Sequence, residues 1–222
     1  MRSVISACAL LLAVTGTPIW AAAPKVPDEH ASIEEQRRYF TEDDVAPMVK
    51  PQNYDVTIVE YMDYQCPYCR ATHEPLKQLL AKDKKIRLIF RDWPIFGPAS
   101  SAAALVAVAS KYQGKYLAVH DALMETPLPL SPGKIKEAVR KAGADWNQIQ
   151  RDIDKHSEEI EDLFQRNDKQ AQLIGLEGTP GFIIGDVQSF GGMTLKQLEA
   201  SVAKARSGAQ PAPGKSGAAS VK

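Results

Sequence analysis

The chain has 222 residues, 44% of them hydrophobic and 24% charged, with 27 Lys+Arg against 27 Asp+Glu. That balance excludes a strongly basic nucleic-acid binder and a polyanionic mimic, and no nucleic-acid partner is expected. The length suits one substantial domain with its own core and room for an insertion.

In chain order, Met1–Arg2–Ser3 is a short positive start, and residues 4–14 (VISACALLLAV) form an apolar run. That run is shorter than the roughly 20 residues needed to span a bilayer. Thr15, Gly16 and Pro18 break any helix, and Ala21, Ala22 and Ala23 are small enough for a signal peptidase. These features predict a signal peptide over residues 1–23, cleaved near 21–23, and a periplasmic protein; an uncleaved anchor is the lesser alternative. Cleavage removes Cys8 and leaves Cys66 and Cys69 of the three cysteines in an oxidising compartment. A pair separated by two residues closes almost no loop, so its disulfide adds little stability and points to chemistry instead.

Residues 24–50 read as a charged N-terminal arm without a strong strand signal. A helix is predicted over 28–40, with Val26, Ile33 and Phe40 at seven-residue spacing. That spacing is either a short seam for a homo-oligomer through residues 24–50 or, as the stronger reading, a helix laid against the domain.

The domain proper is predicted over 51–205. Residues 55–62 (DVTIVEYM) are β-branched and aromatic on nearly both faces, as in a central strand. Cys66–Pro67–Tyr68–Cys69 follows at once. A helix with Leu76, Leu79 and Leu80 at helical spacing is expected over 70–82, kinked at Pro75. Residues 86–90 (IRLIF) give a second buried strand, and such a crossover makes the two strands parallel. A helical insertion is predicted over about 97–157, with segments at 99–110, 117–124, 134–142 and 146–155. Ser157 is expected to cap a further helix ending near Ile174. Residues 182–190 read as a hairpin turning at Gly185–Asp186, and Thr194 as the cap of a last helix over 195–205. Residues 206–222 are rich in Gly, Pro, Ala and Ser and are predicted to be a disordered tail. The order βαβ, helical block, ββα defines an α/β, thioredoxin-like fold with a helical insertion between its halves.

The chemistry follows from the cysteine spacing. Residues i and i+3 of a helix lie about 5 Å apart, within reach of a disulfide. Cys66 at the helix start meets unpaired N–H groups and a partial positive charge, which favour a thiolate. Pro67 fits the first turn without losing a hydrogen bond. Cys66 is therefore the expected nucleophile and Cys69 the resolving thiol. Glu60, in the middle of an apolar strand, is a candidate for passing a proton to or from Cys69; the alternative is a strand-end residue reaching solvent. No metal is expected at the site: there is no second CxxC, His73 is read as a solvated helix position, and His30, His120 and His156 show no ligand spacing. Two thiolates would nevertheless suit Cu(I). The protein supplies its own redox group, so no cofactor is expected.

Taken together, CPYC after a strand, Glu60 six residues before it, the helical insertion and TPGFIIG before the hairpin resemble the DsbA-like branch of the thioredoxin superfamily over about residues 55–205. The resemblance implies exported thiol–disulfide exchange with protein substrates and a membrane redox partner. It makes Cys66 the exposed attacking cysteine, Cys69 the buried one and Glu60 the buried acid. It makes Pro180 a cis-proline beside the disulfide, and Thr179 the residue that touches substrate backbone. Pro67 and Tyr68 form the pair that tunes the potential. The strongly oxidising DsbA pattern has histidine at the place of Tyr68 and commonly valine at that of Thr179. Pro–Tyr with Thr–Pro is more similar to DsbG- and ScsC-like proteins, associated with isomerase, reductase or copper-tolerance roles. An oxidase is the first expectation, an isomerase or reductase the second, and a Cu(I)-binding module the third.

Overall fold

A computed structural model describes residues 25–208 except Glu29. The expected signal peptide and nearly all of the expected tail lie outside the described residues. Strand β2 (Val56–Met62) takes the centre of the sheet because its side chains are apolar on both faces, and Ile58, Val59, Tyr61 and Met62 are all buried. It pairs in parallel with β3 (Ile86–Asp92) and antiparallel with β4 (Gly181–Ile184). β4 turns at Gly185, whose φ of 59° suits glycine, into β5 (Val187–Phe190). A two-residue strand, β1 (Met48–Val49), lies antiparallel to β3. The five-stranded order is β1-β3-β2-β4-β5.

Helix α1 (Ile33–Thr41) precedes β1 and opens with a capping box between Ser32 and Glu35. It lies on the domain: Tyr39 is buried, its carbonyl accepts from Gln170 Nε2 at 2.7 Å, and Phe40 packs on the core, while Val26 and Ile33 stay exposed. Helix α2 (Pro67–Lys82) begins three residues earlier than the expected 70 and continues through Pro75. The second half of the βαβ unit then leads into α3 (Pro98–Ala109), α4 (Tyr116–Glu125), α5 (Pro132–Lys141) and α6 (Trp146–Lys155). The next helix, α7 (Ser157–Leu173), is capped by His156 rather than Ser157. His156 also ends α6, its N–H donating to Asp152, so one residue serves both helices and Ser157 becomes the first helical position. The last helix, α8 (Leu195–Gly208), starts at Thr194, which exchanges hydrogen bonds with Gln197. It runs through Arg206, Ser207 and Gly208, into the span expected to be tail. Arg206 is held there by Asp55 and Asp83 at 2.6 Å each. The arrangement is the expected α/β, thioredoxin-like fold with helices inserted between its two halves.

Candidate active site

The loop after β2 places both cysteines at the start of α2. Cys66 is the N-cap, with extended backbone, and Pro67 occupies the first turn. Both thiols are free. The Cys69 N–H donates to Cys66 Sγ at 3.4 Å, and the Cys66 thiol donates to the Thr179 carbonyl at 3.1 Å. Hydrogen bonding from the Cys69 side chain, helped by the Thr179 side chain and by backbone N–H groups of the first turn, lowers the Cys66 pKa to about 6 against the opposing effect of burial. Burial first, then the bond it donates to Cys66, pushes the Cys69 thiol far up. The two sulfurs differ in acidity because the bonds Cys66 receives outweigh its burial, whereas at Cys69 burial and the bond it donates outweigh those it receives.

Exposure departs from the expectation for Cys66. Only 1% of Cys66 is exposed, because its sulfur is turned under Thr179, whereas its neighbour Tyr68 is 65% exposed. The Thr179–Pro180 bond is cis, as the resemblance implies, and so is Leu128–Pro129, which no sequence signal marked. The Thr179 hydroxyl is buried without an aligned partner. It sits near both sulfurs and acts on both acidities.

Polar side chains fix this loop from several directions. Asp63 accepts from Gln65 N and Ser100 Oγ, each at 2.7 Å, and from the Ile95 and Phe96 amides at 2.8 and 3.0 Å. Its own N–H points at Cys69 Sγ at 3.5 Å. Gln65 accepts from Leu130 N at 3.0 Å, and Arg70 donates to the Tyr64, Leu123 and Thr126 carbonyls, tying the redox loop to the end of α4. On the other side Thr72 accepts from Met193 N at 3.0 Å. A Cβ at Gly192 would lie 3.3 Å from the Thr72 hydroxyl, so the fit there is tight. Tyr68, Ile95, Phe96 and Leu128 form exposed apolar surface on the segments these bonds hold together.

Glu60 is buried in mid-strand, 2% exposed, so the solvent-reaching alternative is excluded. Burial, reinforced by the nearby Asp92 carboxylate, raises its pKa to about 8. Asp92, at the end of β3, is raised to about 7 by burial although Tyr116 donates to it at 2.8 Å. Tyr64 lies against the same pair and shares a 3.0 Å hydrogen bond with His120 Nδ1. His120 is kept neutral, its pKa lowered to about 3 by burial and by the adjacent His73. His73 itself is 7% exposed, not solvated, and the fold brings it against His120 with ring centroids 5.1 Å apart. Spacing along the chain gave no hint of this, because 46 intervening residues separate positions 73 and 120.

A family model of DSBA-like thioredoxin domains matches residues 57–203, and the chain belongs to that family. A thioredoxin-like oxidoreductase from Silicibacter pomeroyi DSS-3 is similar in structure, with a TM-score of 0.74, 36% identity, and 78% of this chain and 99% of that one covered. The thiol-disulfide exchange protein alpha-DsbA2 from Wolbachia pipientis aligns with a TM-score of 0.72 at 30% identity, covering 78% of this chain and 92% of that one. Among curated proteins, the Na(+)/H(+) antiporter NhaA 3 of Salinispora tropica is 26% identical over 170 residues, 73% of this chain but 25% of that protein. The chain thus spans about a quarter of the length of the first curated relatives it matches.

Proposed function

We propose that this protein is an exported thiol–disulfide oxidoreductase acting on protein cysteines, with Cys66 and Cys69 as its redox pair. The observation that carries this is the placement of two free thiols at the start of α2, Cys66 as the N-cap receiving the Cys69 N–H at 3.4 Å and Cys69 buried one turn on, an arrangement that lowers the first thiol's pKa and raises the second's. At pH 7 the Cys66 sulfur of the reduced enzyme is largely ionised, and an ionised sulfur no longer donates to the Thr179 carbonyl. It stays held by the Cys69 N–H and the helix start. In the reducing direction this thiolate attacks one sulfur of a client disulfide, forming a mixed disulfide and releasing a client thiolate, which takes up a proton. Cys69 then loses its proton, attacks Cys66 Sγ and frees the second client thiol; two electrons pass from enzyme to client. Oxidation of a client dithiol is the same sequence reversed. Glu60, with a pKa of about 8, is placed in this reading as the group that exchanges the Cys69 proton. Thr179 and Pro180 line the approach, Pro67 and Tyr68 tune the potential, and the exposed Tyr68, Phe96 and Leu128 supply apolar contact for an unfolded client.

Net oxidation in the periplasm, with recharging by a membrane redox partner, is the direction proposed. Isomerase or reductase action is the second reading, favoured by Tyr68 and Thr179. Replacing Cys66 with Ser abolishes catalysed reduction of insulin; undiminished turnover would overturn the mechanism. The direction is tested by acid-quenched thiol trapping in the host. A mostly oxidised Cys66–Cys69 pair supports the oxidase, and a mostly reduced pair supports the isomerase or reductase.

A further inference from the structure

One turn beyond Cys69 on the redox helix, α2 and α4 bring three metal-ligating side chains together. His73 comes from α2; His120 and Asp121 come from α4. One ligand atom from each lies within 4.8 Å of the other two. His73 Nε2 is 3.3 Å from Asp121 Oδ1, yet this buried nitrogen has no aligned hydrogen-bond partner. Two ligand atoms about 2.05 Å from a tetrahedral zinc ion are about 3.3 Å apart, so that edge already has the separation a metal requires. His120 is arranged in the manner of a ligand too. Its Nδ1 is held by the Tyr64 hydroxyl at 3.0 Å, which fixes the ring and leaves Nε2 for another partner. Lys77 approaches the other oxygen, Asp121 Oδ2, at 3.5 Å and leaves Oδ1 facing His73. Beside the trio is a cavity of about 220 Å³ bordered by Leu76, Leu88, Phe90 and Leu117, with space for an open coordination position.

We propose that His73, His120 and Asp121 form a binding site for a first-row divalent cation of the zinc type, separate from the cysteine pair. Two imidazoles and one carboxylate suit zinc, and a fourth, open position would hold water on the cavity side. The other ligand separations, at most 4.8 Å, would have to shorten towards about 3.3 Å on binding. Such an ion pins the redox helix α2 to α4 of the helical insertion. It takes no part in electron transfer, and the site is independent of the activity proposed for the sulfurs.

The test uses the full-length mature protein, without a histidine tag and oxidised so that both cysteines are locked in their disulfide. Zn²⁺ is titrated by calorimetry, and Co²⁺ is added as a spectroscopic probe of coordination geometry. The site predicts one saturable Zn²⁺, a Co²⁺ spectrum of tetrahedral or five-coordinate type, and a rise in thermal midpoint with Zn²⁺. His73→Gln, at the rim of the cavity, should lose at least tenfold in Zn²⁺ affinity and lose the thermal shift; Tyr64→Phe should weaken binding roughly tenfold through the freed His120 ring. The proposal is overturned if the oxidised protein takes up no Zn²⁺ in a saturable way. It is equally overturned if uptake is unchanged in His73→Gln, which would assign the metal to other surface groups, or if His73 and Asp121 serve only as an ion pair insensitive to metal.

Discussion

Arg91 and Asp92 are adjacent on β3, both fully buried, and point to opposite faces of the sheet. On Arg91's face opposite charges meet: Asp43 accepts from Arg91 Nη1 at 2.5 Å and from Arg166 Nε at 2.8 Å, and Arg91 also donates to the Phe40 carbonyl at 2.9 Å. On Asp92's face two carboxyl groups, Asp92 and Glu60, are buried together beside the Tyr64 and Tyr116 hydroxyls, with the Asp63 carboxylate nearby. The same kind of side chain at the same depth therefore goes in opposite directions. The two arginines overcome burial and hold Asp43 down at about 2, while burial lifts Asp92 to about 7, helped by the Asp63 charge, and Glu60 to about 8, helped by the Asp92 charge. The matched face anchors the N-terminal arm; the unmatched face holds two carboxyl groups whose pKa values are raised to near neutral. Depth alone does not decide whether a buried acid is a structural anion or a proton carrier.

The largest loss of stability should come from breaking the matched face. Asp43→Asn leaves Arg91 buried without its counter-charge and should cost about 3–5 kcal/mol in urea unfolding at pH 7. Asp43's folded value lies below its ordinary 3.8, so its contribution is present above pH 3.8 and is lost as pH falls through about 2. The variant and wild type should therefore converge in strong acid; a constant gap would place the effect in packing instead.

An effect of opposite sign, absent in acid and growing towards high pH, is expected on the other face. Glu60 is raised from 4.5 to about 8, so its contribution to stability is full below pH 4.5 and is lost as pH rises through about 8. Glu60→Gln removes that dependence, leaving stability near wild type at pH 4 and gaining up to about 5 kcal/mol at pH 9 in the reduced protein. The exchange rate of Cys69 should also lose its inflection near pH 8. An unchanged pH profile for both stability and exchange would remove Glu60 from the proton path.

Much of this was legible in the chain because it is written locally. Residues 55–62 and 86–90 are apolar over their whole length, CPYC sits directly after the first, and Thr179–Pro180 directly before the third strand. Glu60 stood out as a charge inside an apolar run. The missed residues act through distant partners. Asp92 follows Arg91 at the end of a strand that the apolar pattern closes at Phe90, and its company of Glu60, Tyr64 and Tyr116 exists only after β3 pairs with β2 and α4 packs on it. Asp63 reads as an ordinary loop acid, and only its four hydrogen bonds to residues 65, 95, 96 and 100 show what it holds. His120 is hidden for the same reason, and β1 is two residues long, too short for any periodicity. The shielding of Cys66 depends on a hydrogen bond to a residue 113 positions away.

The central claim is that one sulfur is a ready thiolate and the other is not, and the direct test is a pH titration of thiolate ultraviolet absorbance in the reduced protein. One thiolate should appear with a midpoint near pH 6 and be lost in Cys66→Ser, with no second thiolate forming by about pH 10. Two thiols ionising together near the ordinary cysteine value of about 8.5 would contradict the account.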